Sequence, residues 1–556
     1  MAGWKELLRG DPRVAAGVLV LLVVCTYLPA LSGDFLWDDD AHVTDSRPVV
    51  EAAGLAAIWI QPGSVPQYYP LTHTSFWLEY RLWSDRPLGY HAVNILLHAG
   101  SAVLLWRVLL GLGLPGAWLA AALFAVHPVH VESVAWISER KNTLSGLFCL
   151  AAAGAWLRWW RAEPGTARRW WWGSLGLFLA ALLSKTVTGT LPAALLVVAW
   201  WQTGRIGRRE WLGVLPLIAL AVPLGVLTIW MEHQHIGAGR LDLDLSLLDR
   251  LLIAGRACWF YAGKLAWPVG LAFIYPRWLV DVDSPVDWCY PLAAAATIAG
   301  LWWSRGRIGR GPLAVVLLFA GTLTPALGFV DVYPMQFSFV ADHFQYLASI
   351  AVLVGVAWIV ATRTDVVYGT ILVVGMAVLS WQQCGIYHDR ETLWRDTVAK
   401  NPGSSLAQTS LGNELGSRGA HVQAERRHRA AIAIDSTYAD AWTNLAVELN
   451  AQGRDSEALE AAREAVRQAD WLPVARLNLA LGLAAVERYD EAVAQLHRAV
   501  DLDERFVAAW VQLARVEWLR NDPAAANQAI QQLRQLDPAL AQQLGRELAR
   551  EQARDR

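Results

Sequence analysis

Three consecutive aspartates, Asp38, Asp39 and Asp40, are the residues whose type and spacing point first to chemistry. They follow an apolar run, Val14–Leu31. A charge inside hydrocarbon costs about 2.5–3.5 kcal/mol on insertion scales, so we place the aspartates at a membrane face. Neighbouring carboxylates raise one another's pKa unless cations or hydrogen-bond donors keep them ionised. The cluster is therefore a candidate general base or metal-ligand set, and the alternative is a solvated acidic loop.

The composition separates two parts of the chain. Of 556 residues, 55% are hydrophobic and only 17% charged, and the apolar runs lie before about Trp381, after which the chain is charged and helical. Many of the 31 tryptophans flank these runs, as expected at a membrane–water interface. The net charge of −2 points to no nucleic-acid partner. The five cysteines form no CxxC pattern, so no disulfide framework or zinc site is predicted.

Eleven apolar runs are predicted to span the membrane. They are Val14–Leu31, Ala92–Leu110, Leu114–Val126, Leu144–Trp160, Trp170–Leu183, Val187–Trp201, Trp211–Met231, Cys289–Trp303, Pro312–Val330, Tyr346–Ala361 and Val366–Trp381. Arginine clusters then fall on the side of the N-terminus, which makes that side cytoplasmic. A twelfth run, Leu251–Trp267, carries Arg256 and Lys264 and would break the alternation, so we interpret it as an interfacial or re-entrant helix.

This topology gathers the candidate chemistry on the outer face. The outer loops are Ser32–Tyr90, His127–Thr143, Ser184–Val187, Glu232–Tyr290 and Asp331–Gln345. One segment of the first loop, Pro70–Trp83, is amphipathic at helical spacing and is predicted to lie on the membrane surface.

A period of 34 residues governs the last part of the chain. Rows of that length start at Ser405, Ala439, Pro473 and Val507, with Gly or Ala at the eighth position and Ala at the twentieth. This pattern is typical of tetratricopeptide repeats, each a pair of antiparallel helices that cross closely at small residues. A half repeat, Glu391–Lys400, precedes the rows, and Ala541–Arg550 is predicted to form a polar capping helix.

Such an array is an α-solenoid with a concave groove for a peptide or protein, although a purely structural or scaffold role is equally compatible with the pattern. The predicted fold is all-α, with a polytopic membrane domain over residues 1–387, the repeats over 388–540, and a capping helix and tail over 541–556.

Several motifs occur in a fixed order before the repeats, and the chain that carries them resembles the transmembrane and tetratricopeptide-repeat O-mannosyltransferases and their bacterial relatives. The motifs are GDFLWDDDAHVT (33–44), YPLTHTSFWLEYRLW (69–83), GYHAVNILLHA (89–99), HPVHVESVAWISERKNTLS (127–145), LSKTVTGTLP (183–192) and ADHFQYLASI (341–350). The resemblance implies a GT-C glycosyltransferase that takes a mannose-like hexose from a polyprenyl phosphate and transfers it to Ser or Thr hydroxyls of proteins.

The resemblance also implies roles for individual residues. Asp38 and Asp39 match the paired catalytic acids of the family, and a carboxylate is a suitable base for a hydroxyl acceptor. A lipid phosphate leaves as an anion, so cations should hold it, and the outer-face candidates are Arg140, Lys141 and Lys185, for which the alternative is ordinary interfacial anchoring.

The remaining candidates are aromatic, imidazole and carboxylate side chains. His127, His130 and Glu132 are expected to position the acceptor or ligate a divalent metal, with helix capping or packing as the alternative. His343 stands where the family pattern favours arginine, so a phosphate role for it would depend on pH. Tyr346 either lines the site or is an interface aromatic.

Two other functions are compatible with the sequence. One is a non-enzymatic membrane-anchored scaffold built on the repeats, although eleven spans exceed what an anchor needs. The other is a GT-C transferase acting on a lipid or glycan. Short loops and the Ala-, Arg- and Leu-rich composition favour a bacterial inner membrane with periplasmic repeats, and the eukaryotic counterpart would be an endoplasmic-reticulum membrane with lumenal repeats.

Overall fold

The computed structural model describes residues 11–233, 243 and 245–554. The described residues lie in helices, turns and irregular segments, and no β-strand occurs among them, so the all-α prediction is confirmed. The chain divides into two compact units, Met1–Asp396 and Thr397–Arg556. Of the predicted outer loop Glu232–Tyr290, residues 234–242 and 244 lie outside the described residues, as do residues 1–10 and the last two of the predicted tail.

The first unit consists of helices α1 to α17 and most of α18. In chain order they are α1 Pro12–Thr26, α2 Asp39–His42, α3 Arg47–Val50, α4 Leu55–Ile60, α5 Pro70–Trp83, α6 Pro87–Gly111, α7 Ala117–Val126, α8 Val131–Ala135, α9 Arg140–Arg161, α10 Pro164–Ser184, α11 Leu191–Thr203, α12 Arg208–Met231, α13 Leu247–Ala266, α14 Pro285–Ile308, α15 Gly311–Leu323, α16 Ser349–Arg363, α17 Val366–Cys384 and α18 Arg390–Lys400.

The predicted number of membrane spans is wrong for this structure. Among the described residues, three helices are long and apolar enough to cross a membrane: Pro87–Gly111, Arg208–Met231 and Val366–Tyr387. A fourth span results if Ala117–Val126 and Pro128–Ala135, which meet at a 54° bend, are counted together. The sequence estimate counted apolar runs and allowed each to extend into its flanks, whereas α1, α15 and α16 are shorter than a full crossing requires.

Helix α13 coincides with the run that was set apart from the spans. It begins four residues earlier than predicted, because Ser246 accepts a hydrogen bond from the backbone N–H of Asp249 and Asp249 bonds back to Ser246, forming a capping box. It is not among the helices that qualify as spans. Its interfacial position remains a prediction.

Helix α5 has the predicted bounds, Pro70–Trp83, and forms one wall of the site described below. Its buried residues include His73, Phe76 and Glu79, which recur every three residues, so they follow one face of the helix. Proline at the first helical position suits the start, since its missing N–H would have no partner there. The helix therefore turns a single face that carries both polar and aromatic side chains toward the interior of the first unit.

The second unit repeats a pair of antiparallel helices. The pairs are α19 Ser405–Ser417 with α20 His421–Ile434, α21 Ala439–Ala451 with α22 Asp455–Gln468, α23 Pro473–Ala485 with α24 Tyr489–Leu502, and α25 Val507–Leu519 with α26 Pro523–Leu536. The first helix of each pair begins at the first residue of a 34-residue row, as the periodicity indicated. A final helix, α27, covers Pro538–Arg554.

Small residues fill the helix crossings of the repeats. The residues at the eighth and twentieth positions of the rows are buried, and the alanines among them are at most 1% exposed. A larger side chain at such a position would have to displace the facing helix, because protein cores are close-packed. This burial explains why the small residues recur with the period of the repeat.

Candidate active site

The loop that carries the aspartates is held in an unusual backbone conformation. Trp37 has a φ of 36°, in the left-handed region that bulky residues seldom adopt, at a cost of order 1–3 kcal/mol. Its indole stacks on Trp136, with ring centroids 5.7 Å apart, and meets the edges of Phe273 and Trp394. These aromatic contacts from distant parts of the first unit hold the turn in place, and the turn aims the next residue, Asp38.

Asp38 is the accessible carboxylate of the cluster, with a side chain 32% exposed. One carboxylate oxygen accepts a hydrogen bond of 2.7 Å from the hydroxyl of Ser138, and the other lies 3.4 Å from Nε2 of His42. Burial acts to raise the pKa of Asp38, but the contacts with His42, Lys141 and Ser138 outweigh it and lower that pKa. Asp38 is thus an ionised, reachable base.

Asp39 has a different environment although it is the next residue. Its side chain is fully buried, and its two oxygens accept backbone N–H groups from Leu36 at 2.7 Å and from Ser138 at 2.6 Å. Burial and the neighbouring charge of Asp38 raise its pKa well above the usual range. Asp39 therefore ties the aspartate loop to the segment around Ser138. The third acid, Asp40, forms an ion pair with Arg390.

Glu139, the residue after Ser138, gathers two of the predicted cations. Its carboxylate lies 3.1 Å from Nζ of Lys141 and 3.2 Å from Nζ of Lys185. Burial acts to raise the pKa of Glu139, but His343 and the two lysines outweigh it and hold the pKa well below its usual range. Because Ser138 and Glu139 are adjacent, Asp38 and the lysine pair meet at one short segment.

The two lysines are largely buried but keep some access, with side chains 10% and 14% exposed for Lys141 and Lys185. Burial lowers the pKa of Lys185 despite the attraction of Glu139. For Lys141 the balance is reversed, because Glu139 and Asp38 together outweigh burial and raise its pKa. Two ammonium groups share the Glu139 carboxylate here, and a lysine ammonium has three N–H donors, so donors remain beside Asp38 that Glu139 does not occupy.

Glu132 and His343 form a second pair next to this cluster. Glu132 accepts the backbone N–H of His343 at 2.9 Å and lies 3.0 Å from its Nδ1. The other ring nitrogen of His343 is 3.9 Å from Glu139. The structure thus brings together four sequence-predicted residues, Glu132, Lys141, Lys185 and His343, around the unpredicted Glu139.

Arg140 lies apart from this group although it adjoins Lys141 in sequence. Its side chain is fully buried and forms a bidentate ion pair with Glu79 of α5. The remaining N–H groups donate to Asn94, to the Ser75 hydroxyl at 3.2 Å and to the Tyr90 carbonyl at 2.9 Å. All five N–H donors of the guanidinium therefore have protein acceptors, and the residue braces α5, α6 and α9.

His127, His130 and Tyr346 belong to a separate buried cluster. His127 contacts the Leu265 carbonyl at 3.1 Å, and His130 contacts the Phe124 carbonyl at 2.8 Å. Tyr346 bonds Nδ1 of His98 at 2.8 Å. These side chains satisfy one another and nearby carbonyls, in line with the packing alternative stated for the histidines. Within the part of the chain that the structure describes, no group of three or more His, Cys, Asp or Glu side chains is arranged to hold a metal ion.

Sequence reasoning missed Ser138, Glu139 and His73 as members of the site. Ser138 and Glu139 stand directly before Arg140 and Lys141 in the run SERK, so their proximity to the chosen cations was a usable signal. His73 lies on α5, one turn after Tyr69, the residue that precedes this helix. Only the packing of α5 against α2 places Nε2 of His73 3.3 Å from Nδ1 of His42.

The fold and site together define a class of chain: an all-α protein that joins apolar helices with a carboxylate-and-lysine site to a tetratricopeptide array. No family model matches the sequence. Curated relatives do, and they bear the name protein O-mannosyl-transferase. The resemblance found in the motifs is therefore confirmed: the chain is similar to TMTC-family protein O-mannosyl-transferases over about three quarters of its length.

Three relatives illustrate the extent of that similarity. A protein O-mannosyl-transferase of Caenorhabditis elegans is 25% identical over 467 residues, covering 76% of this chain and 63% of that protein. Human TMTC4 is 25% identical over 511 residues, covering 76% and 65%. Drosophila melanogaster Tmtc1 is 36% identical over 180 residues, covering 30% and 20%. The chain thus spans less than two thirds of the length of the first two.

Among solved structures, YrrB, described as a TPR protein with an unusual peptide-binding site, is similar at 16% identity. The alignment covers 28% of this chain and 81% of YrrB, with a TM-score of 0.25.

Proposed function

We propose that this chain is a membrane glycosyltransferase that moves a hexose from a polyprenyl-phosphate donor to Ser or Thr hydroxyls of proteins outside the cytoplasm. The observation that carries the proposal is the meeting of Asp38 with the lysine pair at Ser138–Glu139. A reaction that takes a proton from a hydroxyl and releases a phosphate needs a base and cations close together. The names of the curated relatives support the same reaction class.

Asp38 acts as the base. The acceptor hydroxyl gives its proton to the Asp38 carboxylate while its oxygen attacks C1 of the sugar, and the bond from C1 to the phosphate oxygen breaks. Ser138 holds one carboxylate oxygen from the side, which fixes the direction of the other. Asp39 is a positioning residue, since its oxygens are engaged by backbone N–H groups. Direct displacement of this kind inverts the configuration at C1.

Lys141 and Lys185 receive the departing phosphate. Both ammonium groups have a share in Glu139 and both retain some exposure. The donor phosphodiester carries one negative charge, and the polyprenyl phosphate that departs carries up to two, so the two cations stabilise the leaving group more than the bound donor. Arg140, predicted from sequence as a third phosphate ligand, instead acts as a brace in this proposal, because its N–H donors are already occupied. His343 orients Glu139 and Glu132 at the rim of the same site.

The repeats hold the protein acceptor. Paired helices in a 34-residue period build the concave surface that tetratricopeptide arrays use for peptides. We place this array and the aspartate loop on the non-cytoplasmic side of the membrane, with the N-terminus in the cytoplasm. This placement requires the short helix α1 to cross the membrane together with the apolar residues that follow it as far as Leu31.

The test is transfer from a synthetic polyprenyl-phosphate mannose to an acceptor peptide by the purified full chain. Asp38→Asn keeps the shape and removes the base, so we expect turnover to fall about 10²- to 10⁴-fold. The matched control is Asp85→Asn, which makes the same chemical change at an exposed residue outside the site. Undiminished turnover in Asp38→Asn would reject the assignment of the base.

A further inference from the structure

Two imidazole rings lead from Asp38 into the interior. Nε2 of His42 lies 3.4 Å from Asp38, and Nδ1 of His42 lies 3.3 Å from Nε2 of His73. The two rings are stacked, with centroids 5.4 Å apart. At the far end, Nδ1 of His73 lies 3.1 Å from the backbone carbonyl of Tyr69. The contacts form one line of four groups that begins at the proposed base.

The carbonyl at the end of this line fixes where the hydrogens are. A carbonyl oxygen only accepts hydrogen bonds, so Nδ1 of His73 must carry the hydrogen. His73 is buried, which together with the neighbouring His42 lowers its pKa to about 3 and keeps the ring neutral near pH 7. A neutral imidazole has one N–H, so Nε2 of His73 is an acceptor.

His42 must then donate from Nδ1 to His73. The one ring nitrogen of His42 that can bind or release a proton is therefore Nε2, which faces Asp38. When neither group is protonated, a nitrogen lone pair faces a carboxylate lone pair, which is unfavourable. A single proton placed between them converts the contact into a charge-assisted hydrogen bond.

We propose that His42 is a positioning residue that shares with Asp38 the proton taken from the acceptor hydroxyl, so that the pair binds this proton more tightly than the carboxylate would alone. The inference rests on the proposed function, in which Asp38 is the base. The hydroxyl O–H bond breaks and the proton passes to the Asp38–His42 pair, where it lies between the carboxylate oxygen and Nε2. His73 holds the His42 ring in the one orientation that leaves Nε2 open, and solvent takes the proton after the product leaves.

The charged or titratable groups that act on the line from Asp38 to His73 come from three parts of the chain. Asp38 is on its own helix turn, the neutral His73 is on α5, and Lys141 of α9 is close enough to act on both Asp38 and His73. The positive charge of Lys141 lowers the pKa of His73 further. His42 is 5% exposed, whereas the Asp38 side chain is 32% exposed, so solvent reaches the pair at Asp38.

The experiment compares the pH profiles of turnover for the full-length wild type and for His42→Gln. The glutamine amide can donate to Asp38 but cannot take a proton from it. We expect kcat to fall about tenfold or more, with the KM for the acceptor peptide little changed, and the acid limb of the profile to move to lower pH. His388→Gln, at a histidine whose side chain is 54% exposed, is the matched control.

Variants at His73 separate proton sharing from packing. His73→Gln retains an acceptor oxygen for the Nδ1–H of His42, so we expect it to keep most of the activity, whereas His73→Phe removes the acceptor and should resemble His42→Gln. If His42→Gln has the wild-type kcat and the wild-type acid limb of the pH profile while Asp38→Asn is inactive, His42 does not share the proton, and Asp38 remains the proposed base. If Asp38→Asn is as active as wild type, the base assignment fails and the sharing fails with it. If the wild type itself transfers no sugar to the peptide, the proposed function fails.

The histidine tautomers of the wild type can be measured by NMR, which tests the proposal even if a variant at His42 fails to fold. In ¹⁵N-histidine-labelled wild type, the ring whose signals disappear in His73→Gln should show the Nδ1–H tautomer. The Nε2–H tautomer at His73 would overturn the proposal, because His42 could then no longer donate to it.

Discussion

Two neighbouring cations at the start of α9 have opposite environments. Arg140 is sealed from solvent, and each of its N–H groups has a protein acceptor. Lys141 shares one carboxylate with Lys185 and remains partly exposed. Because successive residues of a helix point about 100° apart, α9 directs one cation into the packing of α5 and α6 and the other toward Asp38. A cation whose N–H donors are all occupied stabilises the fold, whereas two lysines that share one carboxylate retain donors for an anion.

The largest expected effect that tests this difference is on stability. Arg140→Met leaves Glu79 buried without its cation, so we expect the free energy of unfolding to fall by about 3–5 kcal/mol. The measurement is thermal or denaturant unfolding of the purified protein in detergent. Arg140→Lys keeps the charge but not the planar fork, and should cost less. An Arg140→Met protein that is as stable as wild type but binds the donor poorly would show that Arg140 binds the phosphate and does not act as a structural brace.

The second effect is on the donor. Lys185→Met and Lys141→Met each remove half of the proposed phosphate cradle, so we expect kcat/KM for the lipid-linked sugar to fall about 10- to 100-fold. The unfolding free energy should fall less than in Arg140→Met, because Glu139 keeps its other lysine. Lys400→Met, at an exposed lysine of α18, provides the control. Equal donor kinetics in all three variants would remove the lysine pair from the mechanism.

The smallest effect concerns Glu139 and depends on pH. Its folded pKa lies below the ordinary value, so ionised Glu139 stabilises the fold above about pH 4.5, and this contribution is lost as pH falls toward the folded pKa. Glu139→Gln should therefore be less stable than wild type by about 1–3 kcal/mol at pH 7, and the gap should close in acid. Unfolding curves at several pH values measure the gap, and a gap independent of pH would contradict the ion-pair account.

The sequence predicted the repeats better than the membrane part, for a physical reason. In the repeats, a crossing that admits only Gly or Ala recurs every 34 residues, so position alone identifies it, as at Ala446 and Ala480. The apolar runs have no such fixed period, so the sequence does not show where each membrane helix begins and ends. Short helices such as α15 and α16 are as apolar as spans but are not long enough to be counted as such, and the estimate of eleven was wrong.

The site shows the same limit at the level of single side chains. Asp38 was selected because it matches the paired acids of the resembled family, and Lys141 and Lys185 because they are cations of the predicted outer loops that could hold a lipid phosphate. Sequence could not separate Arg140 from Lys141, since they differ in the direction that α9 gives each side chain and in the contact of Arg140 with Glu79, which lies 61 residues earlier on α5. It also could not find the His42–His73 contact, which depends on how α5 packs.

The backbone at Trp37 has a consequence for biosynthesis. The side chain that secures this turn packs against Trp136, Phe273 and Trp394, the last of which is made some 350 residues after the turn itself. A chain that is still emerging from the ribosome lacks the Trp394 contact, so less packing offsets the strained backbone at Trp37. We therefore expect Asp38 to take its position only after the chain has been synthesised as far as Trp394.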